Sequence, residues 1–114
     1  MAGSTHPTEE KVLFDVFNEI IKSYPEARLV IAPRKPGRAD EISKLAKQYH
    51  WESGFRSKLL EIKGARSKYP VLLIDTIGEL GRIYSVGDVV FVGGSLIKHG
   101  GHNVLEPAAH AKPI

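Results

Sequence analysis

The sequence predicts an α/β fold: a parallel sheet flanked by helices on both sides, in the Rossmann-like manner. Three observations carry that prediction. Residues 28–32 (Arg-Leu-Val-Ile-Ala), 71–74 (Val-Leu-Leu-Ile) and 89–92 (Val-Val-Phe-Val) are short apolar runs, the pattern of strands buried on both faces. Segments of helical periodicity alternate with them. Glycines, hydroxyls and cations collect just after the strands, where open α/β sheets take their ligands.

Each element has its own justification. Residues 1–5 (Met-Ala-Gly-Ser-Thr) read as a strand-to-helix turn that has lost its strand, and Gly3-Ser4-Thr5-His6 as able to cap a helix or hold a phosphate. Residues 7–23 read as a helix, with Leu13, Val16, Phe17, Ile20, Ile21 and Tyr24 at three- and four-residue steps. Glu9 and Glu10 fall in its first turn, where the dipole favours them, and Pro25 ends it. The run 28–32 leads into Pro33-Arg34-Lys35-Pro36-Gly37-Arg38, with Arg34 the cation nearest the strand. Asp40 caps the next predicted helix, which buries Ile42, Leu45, Ala46 and Tyr49. Residues 51–57 hold a short, weaker strand with Trp51 as a packing residue; 59–62 are ambiguous and 64–70 are loop. After 71–74, Thr76 and Glu79 stand at capping-box spacing ahead of Leu80, Ile83 and Tyr84, and Gly87-Asp88 turns the chain into the last strand.

That last strand organises the ligand prediction. Gly93-Gly94-Ser95 and Gly100-Gly101 flank Lys98 and His99, His102 follows directly, and Asn103 and Glu106 stand at capping-box spacing on the following helix. Strand, glycine loop and helix start together present backbone N–H groups and a positive dipole to a phosphate. Right-handed crossovers would bring this loop to the same sheet edge as residues 3–5, 33–38 and 75–79.

Composition narrows the function classes. With 114 residues, 42% hydrophobic and 25% charged, the chain fits one small globular domain or part of a larger protein. A net charge of +3 suits an anionic ligand but is too weak to argue for nucleic acid. Without cysteine there are no disulfides and no thiolate metal site. No apolar run approaches the roughly 20 residues of a membrane span, so a soluble chain is expected. Nicotinamide, Walker and nucleophile-elbow motifs are missing. His99 and His102 lie three apart without a clear third ligand, so no metal site is expected.

The blocks Asp75-Thr76-Ile77-Gly78-Glu79-Leu80, Phe91-Val92-Gly93-Gly94-Ser95-Leu96 and Gly100-Gly101-His102-Asn103-Val104-Leu105-Glu106-Pro107-Ala108 resemble the 3-deoxy-D-manno-octulosonic acid (Kdo) transferases. Ala2-Gly3-Ser4-Thr5-His6, Pro33-Arg34 and Arg56-Ser57 agree with that family in order and spacing. Val104 stands where the family commonly has proline, and Lys35 where it often has histidine.

The resemblance implies a GT-B glycosyltransferase, of which residues 1–114 form the C-terminal, CMP-Kdo binding domain, incomplete at both ends. It implies transfer of Kdo from CMP-Kdo to a lipid A precursor at the cytoplasmic face of the bacterial inner membrane. The base and the membrane anchor lie in an N-terminal domain, so no catalytic residue is expected here and the fragment alone is expected to be inactive. Neither cofactor nor metal is implied. The CMP contacts carry over to Pro33 and Arg34, to Ile77, Gly78 and Glu79, and to Asn103, Val104, Leu105 and Glu106. A second set, Ser4, Thr5, Gly94, Ser95 and Gly101, would face the sugar and phosphate. Two other readings stay open on the residues alone. One is a GT-B transferase or epimerase using UDP or GDP; the other is a non-catalytic basic module binding through Arg34, Lys35 and Arg38.

Overall fold

A computed structural model of the chain describes residues 1–59 and 68–114. The expectations for 59–62 and 64–70 therefore fall largely outside the described residues. The strands are β1 (Ala2–Thr5), β2 (Leu29–Pro33), β3 (Ser53–Phe55), β4 (Val71–Leu73) and β5 (Phe91–Val92). They form one sheet in the order β3-β4-β2-β1-β5, with every neighbouring pair parallel. All strands therefore point their C-terminal ends at one edge, as the sequence predicts. The order changes direction at β1: β2 lies on one side of it and β5 on the other. Such a reversal is where loops diverge and leave a crevice.

Among the described residues the helices include α1 (Glu9–Ser23), α2 (Ala39–Gln48), α3 (Leu80–Ile83) and α4 (Leu105–Ala108). Successive residues of β2 and β4 face opposite sides of the sheet. Ile31, Val71 and Leu73 pack with Phe14, Phe17, Ile42 and Ala46 of α1 and α2. Ala32, Leu72 and Ile74 pack with Ile83 on the other side, next to Tyr84, Val90 and Val92. Burial on both faces explains why β2 and β4 read as continuous apolar runs. Trp51 packs on Phe17 with ring centres 5.1 Å apart and donates from Nε1 to Asn18 Oδ1 at 2.9 Å, the packing role predicted for it.

Four expectations are corrected. Residues 2–5 are not a turn but the strand β1, held between Ile31 and Ala32 of β2 on one side and Phe91 and Val92 of β5 on the other. Its small residues fit there because the Tyr84 ring lies directly over Gly3. The run 89–92 yields only two strand residues, and Val89 is 64% exposed. Asp40 sits inside the first turn of α2 rather than capping it, because a 3₁₀ turn at Pro36–Arg38 brings the chain into the helix. On α1, Phe14 and Phe17 are buried, while Val16, Ile20 and Tyr24 are 43–69% exposed, so the apolar stripe is wider than the face this sheet covers.

Candidate functional site

The C-terminal edge of the sheet carries two groups of residues with different characters. The first is a knot at the start of α1. Glu9 is fully buried, and its carboxylate accepts from Gly94 N–H at 2.9 and 3.1 Å, from Leu96 N–H at 3.1 Å and from His6 N–H at 2.9 Å. Burial pushes its pKa up. The Gly94, Leu96 and His6 donors and the His6 charge more than offset that, leaving it below the usual carboxylate range. One carboxylate thus fixes the glycine loop to the helix. The neighbouring Glu10 pairs with Arg38, Nη1 to Oε1 at 2.8 Å, and accepts from the Thr5 hydroxyl at 2.9 Å.

The glycine loop is tight for a physical reason. Gly94 has φ 81° and donates to Glu9, while its carbonyl accepts from Gly101 N–H at 2.8 Å. A Cβ on Gly94 would stand 3.1 Å from Gly101 backbone atoms, and its φ strains any L side chain. The two glycine pairs therefore hold each other rather than serving as separate turns. Ser95 folds its hydroxyl back onto the Val92 carbonyl at 2.9 Å.

The second group is open. Ser4, Pro33, Arg34, Ile77 and Gly78 line a cleft of about 300 Å³ together with Ala32, Pro36, Ile74, Thr76 and Leu80. Five predicted ligand residues from three strand ends meet there. The loop after β2 is fixed by Arg34 N–H on the Thr5 carbonyl at 2.9 Å, and the Arg34 side chain is exposed. Ile77 is 88% exposed at the rim. Ser4 has φ 54° at an irregularity in the β1–β2 register, a strained backbone that turns the strand end toward the cleft. Thr5 is buried and its hydroxyl is taken by Glu10, so it faces inward.

Glu79 lies beside this cleft in a second one of about 330 Å³, lined also by Arg56, Arg82, Ile83, Ser85, Val86 and His110. The expected Thr76–Glu79 capping box is replaced by a side-chain bond, Thr76 Oγ1 donating to Glu79 Oε2, and Arg56 Nη2 reaches Oε1 at 3.3 Å. The Thr76 hydroxyl, aided by Arg56 and against a smaller burial effect, holds the Glu79 carboxyl below its usual range. Ser57 clamps Asp75 from its backbone N–H at 2.9 Å and from its hydroxyl, tying β3's exit to β4's.

The start of α4 completes the edge. Asn103 Oδ1 accepts from Leu105 N–H at 2.8 Å, a local cap, although α4 proper begins one residue later than that reading places it, with Val104 at the cap position. Asn103, Val104, Leu105 and Glu106 are all exposed. Glu106 approaches the Gly81 position and, after burial, raises the Tyr84 hydroxyl pKa, while a Ser4 hydrogen bond opposes that shift. The carboxylate thus reaches back toward Tyr84 and Ser4 across the sheet edge.

No protein-family model matches the chain. The 3-deoxy-D-manno-octulosonic acid transferase of Haemophilus influenzae is 36% identical over 114 residues, all of this chain and 26% of that protein. The protein of the same name from Aquifex aeolicus is 32% identical over 114 residues, 30% of its length. The solved C-terminal CMP-Kdo binding domain of WaaA from Acinetobacter baumannii superposes with a TM-score of 0.85 at 32% identity, covering 98% of this chain and 57% of that one. The chain is related to the Kdo transferases from end to end. It spans less than a third of the length of these curated relatives.

Within this Kdo transferase-like domain the fold and the predicted edge agree with the resemblance drawn from the motifs. Sequence reading missed two things. Glu9 and Glu10 read only as first-turn acids favoured by the dipole; the tertiary contacts with Gly94 and Arg38 reveal them as buried braces. His6 was not connected to the loop histidines, although its Nε2 lies 2.6 Å from that of His102, 96 residues away. His99 joins them, with ring centres 4.5 Å from both. The third imidazole that spacing could not supply comes from the β1–α1 junction.

Proposed function

We propose that this chain is the donor-nucleotide-binding part of a Kdo transferase, holding CMP-Kdo for transfer to a lipid A precursor. The single observation that supports this most is the match over 98% of the chain to a solved domain described as CMP-Kdo binding. The meeting of Ser4, Pro33, Arg34, Ile77 and Gly78 in one cleft adds a place for the ligand. In this reading the turn at Ile77, Gly78 and Glu79 offers backbone groups to the cytosine edge. Glu106 accepts from the ribose hydroxyls. Arg34, the Asn103 side-chain amide and the backbone N–H of Val104 face the phosphate, while the Leu105 N–H stays with its Asn103 cap. Ser4 lies toward the sugar, whereas Gly94, Ser95 and Gly101, whose polar groups are engaged within the chain, shape the loop behind it.

The reaction is a displacement at the anomeric carbon. The bond to the phosphate oxygen breaks, CMP departs with its electron pair, and a base in a facing domain takes the acceptor hydroxyl proton. Arg34 stabilises the charge that grows on the phosphate. The acceptor and the inner-membrane location enter through that facing domain; among the described residues no helix is long and apolar enough to cross a membrane.

An amide-resolved NMR titration with CMP, and with UMP and GMP as controls, tests the assignment. Shifts are expected at Arg34, Gly78, Glu79, Asn103 and Glu106 with CMP alone. Equal responses to all three nucleotides would remove the cytidine assignment, and no response at millimolar CMP from a well-dispersed spectrum would remove the nucleotide site from this chain.

A further inference from the structure

We infer that His6, His99 and His102 form a binding site for one divalent transition metal ion of the zinc class. One imidazole nitrogen from each residue lies within 4.8 Å of the others, and the three rings come from two separate segments, the β1–α1 junction and the glycine loop. Convergence from both sides of the crevice where the strand order reverses is a different arrangement from histidines scattered along one surface. Three histidines with a free fourth position are the ligand set of an open zinc site, and neutral imidazole suits zinc, cobalt, nickel and copper alike.

The geometry is close to what such an ion needs. Ligand nitrogens at about 2.0–2.1 Å from a tetrahedral zinc lie roughly 3.3 Å apart. His6 and His102 now face each other at 2.6 Å through their Nε2 atoms, so one proton must sit between the two lone pairs. An ion replaces that proton and engages both lone pairs once the rings, now nearly parallel, part by less than an ångström and tilt so that both nitrogens point at it. His99 is exposed and directly followed by Gly100 and Gly101, so its ring has room to turn onto the ion.

The ion would be held by the imidazole lone pairs rather than by an anionic shell: Arg34 acts on His102 more strongly than the opposing Glu9. Backbone bonds from His6 N–H to Glu9 and from Gly101 N–H to Gly94 hold both segments in place. The rings are thereby brought together before any ion arrives, which lowers the ordering cost of binding. The fourth position is left for water or for an anionic oxygen of a ligand.

The test is calorimetric titration of the untagged, chelator-stripped chain with Zn²⁺ alone, paired with the visible spectrum of the Co²⁺ form. One equivalent of metal in a tetrahedral cobalt spectrum is expected. His99→Ala should weaken binding by more than about tenfold, which even outer-shell changes at metal sites reach. Because His99 is exposed, that variant should keep its fold, checked by its amide spectrum. His50→Ala and His110→Ala, outside the cluster, should bind as the parent sequence does. No stoichiometric uptake, uptake indifferent to His99→Ala, or uptake lost through His50 or His110 would each overturn the site.

Discussion

The start of α1 and the start of α4 use the same residue type for opposite ends. At α1, Glu9 and Glu10 are 0% and 1% exposed, and each of their carboxylate oxygens is engaged by the protein. At α4, Glu106 is exposed, and Asn103 satisfies only one nearby N–H. Both are acidic groups in a first helical turn at the same sheet edge, so dipole arguments treat them alike. Burial separates them. A carboxylate sealed among donors braces the loops. One left at the rim keeps its lone pairs for something that arrives. Each prediction below breaks one side of that contrast and should leave the other untouched.

The largest effect is expected at Glu10 and Arg38. The Glu10 side chain is 2% exposed, and removing its cation leaves a buried charge alone. Arg38→Met should destabilise the chain by about 3–5 kcal/mol in urea unfolding, a large share of a small domain's stability. The double variant Glu10→Met/Arg38→Met should recover most of the loss, since well-packed apolar replacements of buried pairs are commonly neutral. If the single variant loses less than about 1 kcal/mol, the pair is not a brace.

Glu9→Gln comes next. An amide can keep one acceptor but turns an NH₂ group toward backbone donors, a loss of about 1–3 kcal/mol. The pH dependence has a definite sign. The folded-state pKa of Glu9 lies below that of an ordinary glutamate, so its contribution is fully present above the ordinary value. As pH falls below it and through the folded pKa, the contribution disappears. Urea midpoints of the parent sequence should therefore drop more steeply below that value than those of Glu9→Gln. Parallel curves would show that the Gly94 and Leu96 bonds do not depend on the charge.

These two sites also mark where sequence reading stops. β2 and β4 were legible because a strand covered on both faces must be apolar throughout. β1 was not: Ala2-Gly3-Ser4-Thr5 has no apolar signal, because its neighbours in the sheet and Tyr84 over Gly3 leave room only for small residues. The edge loops were legible because glycine and arginine after a strand have few other uses. The assembly of His6 with the loop histidines was not, since nothing local records a contact spanning 96 positions. The open side of the contrast was thus easier to read than the closed side, because exposed groups advertise chemistry while buried braces require knowing the fold.

Arg34→Ala should leave stability within about 0.5 kcal/mol, as for an exposed residue. It should weaken CMP binding roughly tenfold to a hundredfold, the range of a lost charged contact of about 1.5–3 kcal/mol. Equal CMP affinity with unchanged unfolding would move the phosphate away from the loop after β2.

The smallest and most specific effect is expected at Glu106. A carboxylate can accept from both ribose hydroxyls, whereas the amide of Glu106→Gln offers one acceptor oxygen and two donors. One lost hydrogen bond of about 1 kcal/mol corresponds to roughly a fivefold loss of CMP affinity. Stability should not change, because the side chain is exposed. Comparison with 2′-deoxy-CMP sharpens the result. The parent sequence should prefer CMP, and Glu106→Gln should lose most of that preference, because the variant has already given up the contact that the missing hydroxyl would have made. Measured together, the four affinities form a cycle whose coupling isolates the carboxylate–hydroxyl contact from any general loosening of α4. A preference unchanged by the substitution would place the ribose elsewhere, and the start of α4 would then be a second structural helix start, differing from α1 only in being at the surface.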